Sequence, residues 1–107
     1  MTTFEEREKG FERKFQQDQE LAFKLKARRH RLLGQWAAGQ LGLADEAADD
    51  YASELATLGL EHHGDDDTVA RIVRDFAAKG VAVDDAQIRL ELERCEREAK
   101  RQLGAPT

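Results

Sequence analysis

The chain has little of what most small proteins use for covalent or rigid support: one cysteine, one proline near its end at Pro106, and no apolar run longer than a few residues. A single thiol excludes an internal disulfide, and the missing apolar run excludes both a secretory leader and a membrane span, so a cytoplasmic location is expected. With no proline before Pro106, helices have no obligatory breaks. Aromatics are scarce too, at 7%, while 36% of the chain is charged and alanine supplies much of the apolar volume, a composition that predicts an all-α protein with a thin core. Acidic segment 44–67 contains no lysine or arginine at all.

What is present is unevenly placed. Residues 1–31 carry a balance of +3 and residues 32–107 one of −8, and an acidic body of this kind repels nucleic acid and anionic lipid. Four of the five phenylalanines lie in the first 23 residues, and Phe4, Phe11 and Phe15 fall within roughly 40° of each other around a helix. The side chains between them are almost all charged or amide, so the stripe suits a partner. A second stripe of Leu21, Leu25, Leu32, Trp36 and Leu43 is rotated by roughly 60° to 80° from the first on a straight helix. The competing reading is a curved helix that buries both stripes in its own core.

Punctuation predicts four helices. Thr3 with Glu6 forms a capping box, Glu5, Glu6 and Glu8 favour the positive end of the helix dipole, and Gly10 weakens the first turns of a helix over 3–41 that stops at Gly42. A second helix spans 45–58, buries Ala48, Tyr51, Ala52 and Leu55, and ends at Gly59. Asp66 or Asp67 caps a third, with Val69, Ile72, Val73 and Phe76 inward, Lys79 in its last turn and Gly80 beyond it. The fourth opens on Asp84 and Gln87 as a capping box, buries Ile88, Leu92, Cys95, Ala99 and Leu103, and stops at Gly104. Short connections favour antiparallel neighbours, hence a four-helix bundle. The expected division is a flexible helical arm over 1–19, a body over 20–104 and a disordered tail over 105–107.

No constellation announces chemistry. Cys95 has the i, i+3, i+4 neighbours of a core residue, there is no Gly-rich phosphate loop, and no serine or cysteine stands in a nucleophile motif. Adjacent His62 and His63 in the acidic loop lack the i, i+4 spacing that puts two metal ligands on one helix face, so the loop reads as solvated, with no metal and no cofactor. The basic run Lys24, Lys26, Arg28, Arg29 and Arg31, with His30 inside it, spreads around the helix and follows an arm of four basic and five acidic side chains. Salt bridging to the acidic body is favoured for it over phosphate contact. A helical nucleic-acid-associated protein using 24–31, or an adaptor of some other complex, are the alternative functions.

Thr2, Thr3, Phe4, Arg7, Glu8, Phe11, Glu12, Lys14, Phe15, Asp18, Glu20, Leu21, Phe23 and Lys24, continued by Ala27-Arg28-Arg29, Leu32-Leu33-Gly34, Trp36-Ala37-Ala38 and Leu41-Gly42-Leu43, resemble the ATPase inhibitor subunit zeta of alphaproteobacterial F-type ATP synthases. Looser similarity follows at Ala48, Tyr51 and Ala52 and at Gly64, Asp65 and Asp66. Where the family pattern has an Asn-Lys type pair after the paired arginines, this chain has His30 and Arg31. The resemblance implies a four-helix bundle without enzymatic activity, monomeric when free, whose arm enters an alpha/beta catalytic interface near the gamma subunit and blocks ATP hydrolysis. Phe4, Phe11 and Phe15 would then fill apolar pockets. Glu5, Arg7, Glu8, Glu12 and Lys14 would fix register around them, with Lys24, Arg28 and Arg29 as a secondary contact, and the bound protein would sit at the cytoplasmic face of the inner membrane.

Overall fold

The computed structural model describes residues 2–61 and 64–105, with side chains from residue 17 onward. Four helices follow in order: α1 (Thr2–Gln40), α2 (Asp45–Glu61), α3 (Asp65–Lys79) and α4 (Asp85–Leu103). The all-α, four-helix expectation is met, with no strand among the described residues. At 1.5 Å per residue α1 is about 58 Å long, which accounts for most of the 67 Å long axis of a molecule otherwise 27 × 24 Å across. α1 is the spine, packed chiefly on α2 and then on α4.

The ends of α1, α3 and α4 are built alike. Gly42, Gly80 and Gly104 adopt positive φ values of 77°, 72° and 66°, which glycine reaches without the Cβ penalty other residues carry. After α1 the Leu43 amide donates to the Ala38 carbonyl at 2.9 Å, and after α3 the Val81 amide donates to that of Phe76 at 2.9 Å. Both satisfy carbonyls that the last helical turn leaves open, and Leu43 and Val81 then fold back against the core. The expected box at α4 is present in full, with the Gln87 amide donating to Asp84 Oδ1 at 2.8 Å and the Asp84 amide to Gln87 Oε1 at 2.9 Å. The proposed Thr3–Glu6 box lies outside the described side chains.

Two boundaries differ from expectation. α2 does not stop at Gly59 but continues to Glu61, because Gly59 is a packing glycine facing the His30 ring. α3 is not capped by Asp66 or Asp67: Gly64 holds the N-cap position with no side-chain bond, and Asp65, Asp66 and Asp67 occupy the first turn, where their charge favours the helix dipole.

The core joins Leu33, Ala37 and Ala38 of α1 to Tyr51, Ala52 and Leu55, Val69, Ile72 and Phe76, and Ile88, Leu92, Cys95 and Ala99. Trp36 meets Phe76 edge to face, ring centroids 5.7 Å apart. The buried face of α1 is therefore not the anticipated leucine stripe. Leu21, Leu25, Leu32, Trp36 and Leu43 are half-buried flanks, while the centre is made of Leu33, small residues and His30. A Cβ on Gly34 would lie 2.7 Å from the Ala52 Cα, so α2 approaches α1 backbone to backbone, closer than leucines would permit. Val73, expected inward, is exposed, and Ala48 and Leu103 are half-buried.

Candidate partner-binding helix and its junction with the body

α1 runs unbroken from the phenylalanine-bearing segment into the bundle. The partner-binding residues expected from sequence, Phe4, Glu5, Arg7, Glu8, Phe11, Glu12, Lys14 and Phe15, lie outside the described side chains. Their helix backbone has one phase with the body.

At the junction part of the basic run bonds to the body. Arg29 places Nη2 2.6 Å from Asp65 Oδ1 and Nη1 3.6 Å from Glu96, tying α1 to the start of α3 and to α4. Arg28 donates to Gln102 at 2.7 Å and Arg31 to Ser53 Oγ at 3.1 Å. All three bond to the protein's own body, but the expected salt bridging to acidic residues is made by Arg29. Lys24 and Arg28 are exposed, whereas the Arg29 side chain is only 21% exposed. Phe23 is 60% exposed just ahead of this cluster.

His30 is the residue the sequence concealed. It is fully buried, its ring stacked on Gly59 so closely that a Cβ there would be 2.5 Å from Cγ. Nδ1 sits 2.8 Å from the Lys26 carbonyl, which accepts from it and fixes the Nδ1–H tautomer. Nε2 makes no hydrogen bond, though Asp65 Oδ1 is 3.3 Å away. Burial holds the imidazole below its ordinary 6.5, with Arg29 and Lys26 acting in the same direction and the Lys26 carbonyl and Asp65 against it. Small residues at 34, 37, 38, 52 and 59 were the readable sign of a close crossing here.

Elsewhere a polar network ties α2 to α3. Tyr51 Oη and Arg71 Nε both donate to Asp75 Oδ2 at 2.8 Å, Arg71 reaches Glu54 at 2.9 Å, and its guanidinium carbon lies 5.7 Å from the Tyr51 ring centroid. Burial, reinforced by Asp75, pushes the Tyr51 hydroxyl well above its usual range. Burial also pushes the Cys95 thiol up to about 11, which suits a core side chain and not a nucleophile. Among the described residues no cluster of His, Cys, Asp or Glu is placed to hold a metal, and no helix is long and apolar enough to cross a membrane. His62 and His63 lie outside the described residues.

These features define a small all-α protein in which one helix serves both as the spine of a bundle and as the carrier of an amphipathic N-terminal segment. The chain belongs to the family described as ATPase inhibitor subunit zeta, whose profile matches residues 1–102. Membership is consistent with an inhibitor of the ATP synthase and with a regulator rather than an enzyme. No curated protein matches the chain in sequence.

Proposed function

We propose that this protein lowers ATP hydrolysis by the F-type ATP synthase by inserting the N-terminal part of α1 at an alpha/beta catalytic interface near the gamma subunit, while having no catalytic activity itself. The family match along residues 1–102 carries the reading. It is supported by a 39-residue first helix that joins the phenylalanine-bearing segment to the bundle, whose core among the described residues runs from Leu33 to Ala99. Phe4, Phe11 and Phe15 act as apolar anchors. Glu5, Arg7, Glu8, Glu12 and Lys14 set register at the rim, and exposed Lys24 and Arg28 add charge contact, with Arg29 chiefly bracing the junction.

Hydrolysis requires the catalytic interface to close, so a helix that binds the open form opposes closure by its differential affinity for the two forms. The protein acts as a monomer at the cytoplasmic face of the membrane that holds the synthase. Purified protein added to active catalytic heads from a matching bacterium is expected to lower hydrolysis in a saturable way. Unchanged hydrolysis at large molar excess would overturn the proposal.

A further inference from the structure

His30 stands where three helices meet. Among the described residues, the charged groups acting on the ring are Lys26 and Arg29 on its own helix and Asp65 of α3, α2 brings the uncharged Gly59 against it, and Glu96 of α4 reaches the site through Arg29. The ring has zero exposure, and the Gly59 approach leaves no room for water on that side. An imidazolium would need an anion at Nε2. Among the described residues the one within reach, Asp65 Oδ1, is already held by Arg29 at 2.6 Å and is partly open to solvent. The neutral ring keeps Nδ1–H bonded to the Lys26 carbonyl and leaves only Nε2 without a hydrogen bond, with no buried charge to offset.

We propose that His30 is an acid-operated latch: the neutral ring holds the C-terminal turns of α2 and the start of α3 on α1, and a proton on Nε2 releases them. Arg29 enforces the direction by occupying the carboxylate that would otherwise stabilise the charged ring, and Gly59 by denying it water. The latch belongs to this chain's His30 and does not depend on the inhibitory reading.

The direction of the pH effect follows from linkage. Burial lowers the folded-state value below the unfolded 6.5, so the unfolded chain binds the proton first as pH falls. Stability from this group is fully present above about 6.5 and is lost as pH falls through the folded value. If the folded ring stays neutral throughout, His30 raises the unfolding constant by at most about thirtyfold between pH 8 and pH 5.

Two measurements test the proposal on the full chain. In the first, imidazole nitrogen shifts are followed by NMR together with amide exchange corrected for intrinsic rates. His30 should stay in the Nδ1–H form until below 6.5, and its protonation should coincide with faster exchange over residues 55–69. A ring that titrates at or above 6.5 while those amides stay protected would overturn the latch, since Asp65 would then be holding the imidazolium. In the second, urea unfolding is compared from pH 8 to pH 5. His30→Asn should remove a loss of up to about thirtyfold in folding constant, and His62→Gln with His63→Gln should retain it. Parallel curves for wild type and His30→Asn would refute the proposal, and if His30→Asn fails to fold the NMR titration of the unaltered chain decides.

Discussion

Replacing Gly59 with alanine sets two effects against each other, and the structure says which wins. In an ordinary helix interior the substitution gains about 1 kcal/mol of helix propensity. Here the new Cβ would lie 2.5 Å from Cγ, 2.6 Å from Nδ1 and 2.8 Å from Cδ2 of His30, about 1 Å inside normal carbon contact. The ring cannot yield cheaply, because its Nδ1–H is bonded to the Lys26 carbonyl and it is wholly enclosed. Overpacking of this kind costs about 1–3 kcal/mol, and a displaced ring loses a hydrogen bond worth about 1 kcal/mol more. The net expectation is a loss of roughly 1–3 kcal/mol, a fall of roughly 5 to 20 °C in midpoint for a domain of this size. Gly39→Ala is the internal control, since a Cβ there meets nothing within 4 Å and α1 should gain from it. Urea unfolding followed by far-ultraviolet circular dichroism measures both. Adding His30→Ala to Gly59→Ala should cost less than the two single losses combined, because the methyl then enters vacated space. Gly59→Ala proving as stable as Gly39→Ala, with no coupling to position 30, would show that the α1–α2 seam is not packed as described.

Deleting residues 2–17 should leave a cooperatively folding helical bundle with a midpoint within a few degrees of the full chain and no inhibition of ATP hydrolysis; an unfolded product would assign the phenylalanine stripe to the protein's own core. Phe11→Ala with Phe15→Ala should weaken binding to the catalytic head by several kcal/mol, each ring being an anchor worth about 2 kcal/mol or more. Lys24→Gln with Lys26→Gln should cost much less and mainly change the salt dependence, and the reverse order would contradict apolar wedging. Asp84→Ala removes the acceptor for the Gln87 amide and should cost about 1 kcal/mol in thermal or urea unfolding without affecting inhibition.

Where local chemistry decides, the sequence was readable. Asp84 and Gln87 declare the start of α4 because each needs only the other, and Gly42, Gly80 and Gly104 declare stops because the following residues fold back over them. Gly59 misled because a glycine that ends a helix and a glycine that admits a neighbour are the same letter, and the neighbour, His30, lies on another helix. His30 misled in its turn: inside a run of lysines and arginines a histidine reads as one more surface charge, and only the crossing of α2 shows it to be interior. Three consecutive aspartates left the cap of α3 ambiguous, and Arg29, distant in sequence, engages the first of them. Lys24 and Arg28 of the candidate contact surface could be placed. The phenylalanine stripe, argued from periodicity, stays a proposal.

The unbroken α1 also makes the bundle a collar on a rod. A lone helix is about 10–12 Å thick, whereas the body is 27 × 24 Å across, so a cleft that admits the helix must stop at the first residues flanked by other elements. Ala22 and Leu25, which share a depression with Asp65 and Glu96, mark that shoulder. From there the helix backbone at Phe4 lies about 27 Å along the axis at 1.5 Å per residue. Reach is thus set by residue count. One residue inserted between Phe15 and Ala22 would lengthen the rod by about 1.5 Å and turn the stripe by about 100°, whereas seven would lengthen it by about 10 Å and leave the heading within about 20°. Under the proposed insertion, the body would set the depth to which the helix enters.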